Sequence, residues 1–192
     1  MATVNPIPNS KPKMSKSDAL KELSNFNIDR VKYPVVVLGI RGYYKKTMGN
    51  PLKNDRGIYD DAMFIVAPDM FASFNANTDP SINRTGIATL VAPQVVMYKV
   101  GIHGVSGANP RQAFRQASFG ISVTRDDKKG VFKDSAASPF WIDIHDGGNY
   151  TTSSEGCQTI PKQQWNGFNE SLKLQLKNNK QTLFPYILIE YK

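Results

Sequence analysis

From Val35 the chain runs Val35-Val36-Val37-Leu38-Gly39-Ile40 and is closed by Arg41-Gly42; such an uninterrupted β-branched stretch predicts a strand buried on both faces. Residues 58–66 predict a second strand ending in Ala62-Met63-Phe64-Ile65-Val66. Its opening pair, Asp60 and Asp61, reads as a strand-end turn, because no further ligand or acid–base partner stands at a recognised spacing. Shorter strands are predicted over residues 71–74, 86–90, 94–100, 119–124 and 140–145. The last, over 183–191, sets Phe184, Tyr186 and Leu188 against Leu183, Ile187 and Ile189. Two segments carry helical spacing instead. Ser15-Lys16-Ser17-Asp18 resembles a capping box ahead of Leu20, Leu23 and Phe26, and Pro161 precedes Trp165, Phe168, Leu172 and Leu176, which predicts a helix over 161–178. Turn formers fill residues 45–55 and 75–81, a charged turn spans 125–130, and residues 105–118 read as a long loop or a short irregular helix. Many short strands with two or three helices predict a β-rich α+β domain on a mixed sheet or partly closed barrel. Residues 1–14, with three prolines among Asn, Ser and Lys, read as an extended N-terminal arm, leaving 15–192 as a single domain.

Composition narrows the class. A chain of 192 residues with 40% apolar content supports one well-cored domain. No stretch approaches the ~18 to 20 apolar residues of a membrane-spanning helix, so no membrane span is expected. The first eight residues lack a basic start followed by an apolar core, and no signal peptide is seen. A single cysteine excludes an intramolecular disulfide and a Cys-rich zinc site, and no cofactor or metal is expected. The net charge of +8 favours acidic partners such as nucleic acid, anionic lipid or the bacterial cell wall. Its lysines and arginines fall in short clusters at 11–16, 43–46 and 125–129 with no nucleic-acid motif, so no specific nucleic acid is expected. The charge reads as solubility plus attraction to an anionic surface.

Candidate chemistry concentrates in one stretch. Ile142-Asp143-Ile144-His145-Asp146-Gly147-Gly148-Asn149 is followed by Ser153-Ser154-Glu155-Gly156-Cys157, which brings the only cysteine 12 positions after one of the 2 histidines. A cysteine needs an imidazole or a positive dipole beside it to act as a thiolate near neutral pH. His145 at a strand end is the expected base, Gly156 permits a sharp turn that aims the amides of 156 and 157 at an oxyanion, and Ser154 or a loop carbonyl orients the imidazole. The helix starting near Pro161 is expected to favour the thiolate further. The competing reading makes Cys157 a small buried hydrophobe and His145 a satisfied core residue. Glycine-rich, polar flanks weigh against it, and the residues alone leave both open.

His145-Asp146-Gly147-Gly148 followed by Ser154-Glu155-Gly156-Cys157 resembles the catalytic signature of the L,D-transpeptidase (YkuD-like) family, in which a His-Gly segment precedes Ser-His-Gly-Cys on a β-rich fold. The resemblance implies a cysteine that attacks the peptide bond after the L-centre of diaminopimelate in peptidoglycan stem peptides. Glu155 stands where that family has histidine, and Gln158-Thr159 replaces an apolar residue and an arginine. Arg41, Arg56 or Arg111 is expected to supply the missing charge, and Asn149 to bind substrate. His103-Gly104 is a second His-Gly element, which leaves the choice of base open. Segments 39–44, 54–61, 74–80 and 154–159 are also similar to uncharacterised proteins of tailed bacteriophages, a likeness covering about 35–178.

The expected function is a phage-associated cysteine peptidase or transpeptidase acting on stem peptides through a thioacyl-enzyme, with hydrolysis favoured because lysis or entry needs cleavage. It would be made in the host cytoplasm and act in the periplasm or as part of the phage particle. The alternative is a non-enzymatic virion or tail component that keeps the fold for binding, its arm gripping other virion proteins. A third reading, a protein that binds a host defence signal or blocks a host enzyme, has no positive feature in the sequence.

Overall fold

In a computed structural model, which describes residues 5–107 and 109–192, the described residues form two helices and eleven strands. These are α1 (Lys16–Leu23), β1 (Val36–Arg41), β2 (Asp61–Val66), β3 (Phe71–Ala76), β4 (Ala88–Leu90), β5 (Gln94–His103), β6 (Arg111–Gln116), β7 (Ser122–Arg125), β8 (Phe132–Lys133), β9 (Ile144–Asp146), β10 (Gln158–Ile160), α2 (Lys162–Asn178) and β11 (Leu183–Glu190). Eight strands make one mixed sheet in the order β10-β9-β6-β5-β11-β1-β2-β3, with β1–β11 and β9–β10 parallel and the rest antiparallel. A bridge between Asn77 and Thr159, with amide–carbonyl bonds of 2.8 Å in both directions, joins the β3 end to β10 and nearly closes the sheet into a barrel. This is the β-rich α+β fold expected, and β4, β7 and β8 add a second, three-stranded sheet.

The apolar run of β1 is buried throughout because it separates two cores. Val35 and Val37 face the larger one, and Val36, Leu38 and Ile40 face the smaller. Strand β11 alternates as predicted, with Phe184, Tyr186 and Leu188 in the larger core and Ile187 in the smaller. Helix α2 closes the larger core with Trp165, Phe168, Leu172 and Leu176, and Phe168 meets Phe74 edge-on at 5.2 Å. Helix α1 covers the smaller core with Ala19 and Leu23; Ser15 caps it, its Oγ accepting from the Asp18 amide at 3.1 Å. Leu20 is exposed and Phe26 lies beyond the helix end, so the predicted apolar stripe is shorter than its spacing suggested.

Several boundaries differ from the sequence pattern. Residues 111–116, expected as loop or irregular helix, form β6 in mid-sheet. The polar residues that hid it are bonded: Gln116 Nε2 donates to Asp134 at 2.5 Å, its Oε1 accepts from the Ile142 amide at 3.0 Å, and Gln112 Oε1 accepts from Asn169 at 2.7 Å. The strand predicted over 140–145 shrinks to β9, because the Ile142 amide is held by that glutamine side chain. Neither β8 nor β10, two and three residues long, has a period to read. Asp60 and Asp61 are more than a surface turn. Both are fully buried, and Asp61 takes the amides of Gly42 at 2.5 Å and Thr78 at 2.6 Å. The first four residues of the N-terminal arm and Ala108 lie outside the described residues. Residues 5–14 lie against the body of the chain, where Ile7 is buried and the Pro6 carbonyl accepts from the Tyr59 amide at 2.7 Å. No described helix is long and apolar enough to cross a membrane.

Candidate functional site

Four neighbouring elements deliver the chemistry. His103 ends β5, Arg111 opens β6 opposite it, His145 lies mid-β9 opposite Ala113, and Cys157 immediately precedes β10. The antiparallel β5–β6 pair thus carries a histidine 42 positions distant in sequence to His145, and their rings sit 4.5 Å apart between centroids. One donor atom from each of His103, His145 and Cys157 lies within 4.8 Å of the other two, the one such group among the described residues. They line a pocket of about 430 Å³ with Arg111, Trp141, Ser153 and Glu155. A larger cleft of about 690 Å³, between residues 5–13 and 43–49, holds no nucleophile paired with a base.

The imidazoles are oriented differently. His103 Nδ1 donates to Asp143 Oδ2 at 2.8 Å, and this fully buried carboxylate also takes Arg115 Nε at 3.2 Å and the Gln116 amide at 3.1 Å. His145 Nδ1 donates to the Asp146 carbonyl at 2.7 Å. With both Nδ1 atoms engaged, each Nε2 is left as the acceptor. Burial pulls the His145 imidazole down to about 3, with Arg111 and His103 adding to the effect and the Asp146 carbonyl opposing it. Burial pushes the Cys157 thiol up to about 12; the Asp143 charge adds to this, while the Asp143 amide, Arg111 and Arg115 work against it. The pair rests as neutral thiol and neutral imidazole, not as the thiolate expected from sequence. The helix dipole does not change this, since β10 intervenes between Cys157 and α2.

The turn before the cysteine is stapled by Ser154. Its Oγ accepts from the Gly156 amide at 3.0 Å and donates to the Cys157 carbonyl at 2.6 Å, so Ser154 shapes the loop and the Asp146 carbonyl orients the imidazole. The Gly156 amide is therefore spent on the loop, leaving the Cys157 amide as the remaining oxyanion donor of the two anticipated. Gly156 has φ +131°, and a Cβ there would lie 2.6 Å from the Ala88 carbonyl oxygen. Gly147 is needed for packing, because a Cβ would collide with the Tyr59 hydroxyl, which donates to the Gly148 carbonyl at 2.7 Å.

Of the arginines considered, only Arg111 lines the pocket, with Nε 3.7 Å from Asp146 Oδ1. Arg41 is buried elsewhere, donating from Nη2 to the Thr78 carbonyl at 2.7 Å. Arg56 forms a two-pronged pair with Asp126, the longer contact 2.8 Å. Asn149 is exposed on the loop beyond β9, outside the pocket lining. Nothing local in the sequence names Asp143 as the partner of His103, although its alternate-register place two residues before His145 is a usable signal. Arg115 carries no sequence signal; it stacks on Trp141 at 4.7 Å and reaches Asp143 over Gly101, where a Cβ would lie 2.5 Å from its side chain. No protein-family model matches the chain, and neither a curated protein nor a solved structure matches it.

Proposed function

We infer that the protein is a cysteine-nucleophile hydrolase acting on peptidoglycan stem peptides, a phage-associated enzyme for wall cleavage. The observation that carries the chemistry is the convergence of Cys157, His103 and His145 within 4.8 Å at a pocket of about 430 Å³. The substrate class rests on the resemblance of the two short segments around His145 and Cys157, and on a charge of +8 that attracts the chain to anionic wall polymers.

The base must become an imidazolium as the thiol loses its proton. His103 is better placed for this than His145, because the Asp143 carboxylate at 2.8 Å stabilises the charge, as in an acid–base–nucleophile triad. Burial penalises the same charge on His145, which stays neutral beside it. In the proposed cycle His103 takes the thiol proton as Cys157 sulfur bonds to the stem-peptide carbonyl, with the Cys157 amide facing the oxyanion. His103 returns the proton to the leaving amine; water, deprotonated by His103, then attacks the thioester carbonyl, and His103 passes that proton to the Cys157 sulfur as the carbon–sulfur bond breaks and the acyl group leaves as the acid.

Purified muropeptides incubated with the protein test the reading by mass spectrometry. Cleaved stem peptides are expected from the wild type, none from Cys157→Ala, and a rate lower by about 10² to 10⁴ from His103→Gln. Absence of product, or equal product from Cys157→Ala, overturns it. The neutral state of the thiol also favours a second reading, a virion component that uses the pocket for binding alone; in that case Cys157→Ser keeps full function in the particle.

A further inference from the structure

The same three side chains have the composition of a metal centre, which the thioacyl cycle does not use. We propose that His103, His145 and Cys157 form a three-ligand site for a soft divalent cation of the zinc class, with the fourth position open to the pocket. One thiolate and two imidazoles are donors that zinc prefers, and three protein ligands plus one open position is the arrangement of exchangeable sites. Tetrahedral bonds of ~2.0 to 2.3 Å would set the donors ~3.3 to 3.7 Å apart. The donors already lie within 4.8 Å, so ligation needs movements of about an ångström.

A second, independent observation is the shell behind the donors. Metal-bound histidines hold their second nitrogen on a carboxylate or carbonyl, which fixes the ring and turns the other nitrogen to the ion. Here His103 Nδ1 donates to Asp143 at 2.8 Å and His145 Nδ1 to the Asp146 carbonyl at 2.7 Å. The sulfur is supported too, since the Asp143 amide donates to Sγ at 3.4 Å. The Ser154 staple and Gly156 hold the third ligand on the same side.

Binding is an exchange: the Cys157 thiol gives its proton to solvent and its sulfur lone pair to the cation. The charges around the site are paired, Arg111 with Asp146 at 3.7 Å and Arg115 with Asp143 at 3.2 Å, and Glu155 at the rim is tied to Arg84 at 2.8 Å. Coordination occupies the His103 Nε2 lone pair that must accept the thiol proton, so cation binding and the thioacyl cycle exclude one another. That last consequence rests on the cysteine chemistry proposed above, whereas the binding does not.

The test is spectroscopic and needs no substrate. Chelator-treated, full-length protein is titrated with Co²⁺, and with Zn²⁺ against a chromophoric chelator. One equivalent is expected, with a thiolate-to-cobalt charge-transfer band and the visible bands of four-coordinate cobalt. Cys157→Ser should lose the band, His103→Gln should weaken binding, and Asp143→Asn should weaken it about 10- to 100-fold. Zn²⁺ should also slow iodoacetamide alkylation of Cys157 at alkaline pH, with EDTA restoring it. Circular dichroism checks each fold; if Cys157→Ser fails that check, wild-type protein alkylated at Cys157 replaces it. Absence of the charge-transfer band, or equal affinity in wild type and the Cys157-blocked form, overturns the site. Protein that binds the cation but cleaves no muropeptide keeps the site and defeats the hydrolase reading; cleavage without binding does the reverse.

Discussion

The neutral resting pair makes a quantitative prediction for Cys157. With the thiol pushed up to about 12, the thiolate fraction at about pH 7.5 is ~3 × 10⁻⁵, against ~0.1 for an ordinary cysteine. The ratio is ~3,000. A more basic thiolate is also intrinsically more nucleophilic, and a Brønsted slope near ~0.45 over the ~3.5-unit rise returns ~40-fold. Alkylation of Cys157 should therefore be about two orders of magnitude slower than that of free cysteine. It should climb nearly tenfold per pH unit from about pH 6 to about pH 10 without levelling. The assay is the pseudo-first-order rate of iodoacetamide labelling across pH, followed by intact-mass spectrometry with chelator present. A plateau below pH 7 at or above the rate of free cysteine would refute the reasoning. It would mean that a thiolate–imidazolium pair forms before substrate arrives, its mutual attraction exceeding the burial penalty. The predicted profile instead requires proton transfer to accompany attack, so activation depends on the ligand in the pocket.

Three further outcomes follow from named contacts. Gly156→Ala forces an alanine to φ +131° with its Cβ 2.6 Å from the Ala88 carbonyl oxygen; a loss of about 1–3 kcal/mol in urea unfolding is expected, with hydrolysis abolished, and a change within ~0.5 kcal/mol would contradict it. Phe168→Ala empties the centre of the larger core, where the ring also meets Phe114 at 5.8 Å; the cost should be about 3–5 kcal/mol, a fall in Tm of roughly 6–20 °C by calorimetry. Burial and the neighbouring Asp61 push the Asp60 carboxyl up to about 9. The folded protein thus holds that proton more tightly than the unfolded chain, and the associated stability declines as pH rises through about 9. Between about pH 7 and pH 9, where His145 stays neutral, urea midpoints should fall for the wild type and fall less steeply for Asp60→Asn, in which the raised Asp61 carboxyl remains; parallel profiles would defeat the assignment.

The legible part of the fold was the part held by apolar period. The continuous run of β1 implied burial on both faces, the alternation of β11 divided its residues between two cores, and the three-and-four spacing from Trp165 to Leu176 marked the stripe of α2. What escaped was held by side chains bonding to backbone. Strand β6 carries Arg111, Gln112, Arg115 and Gln116 in mid-sheet, and Gln116 alone satisfies the Ile142 amide and reaches Asp134. Residue type cannot reveal such bonds, because each requires a partner distant in sequence. The paired Asp60 and Asp61 show the same limit: local residues suggested a turn, but Asp61 ties Gly42 to Thr78 across two strands.

The site divides along the same line. Cys157 and His145 were found because a nucleophile and an imidazole stood 12 positions apart among glycines, a local signal. Which imidazole takes the proton is a non-local matter, decided by the residue behind each ring. His103 reaches the cysteine only through the β5–β6 pairing and the placement of β9 beside β6, and the same arrangement sets Asp143 against its Nδ1. His145 has a carbonyl instead, which orients the ring and offsets only part of the burial penalty on its charge. A base must gain and release a proton, whereas a metal ligand must keep its Nε2 lone pair. The carboxylate behind His103 suits both roles, and the carbonyl behind a fully buried His145 suits the second better. The two histidines are therefore not interchangeable: His103→Gln should impair cleavage and cation binding together, and His145→Gln should weaken the cation more than the cleavage.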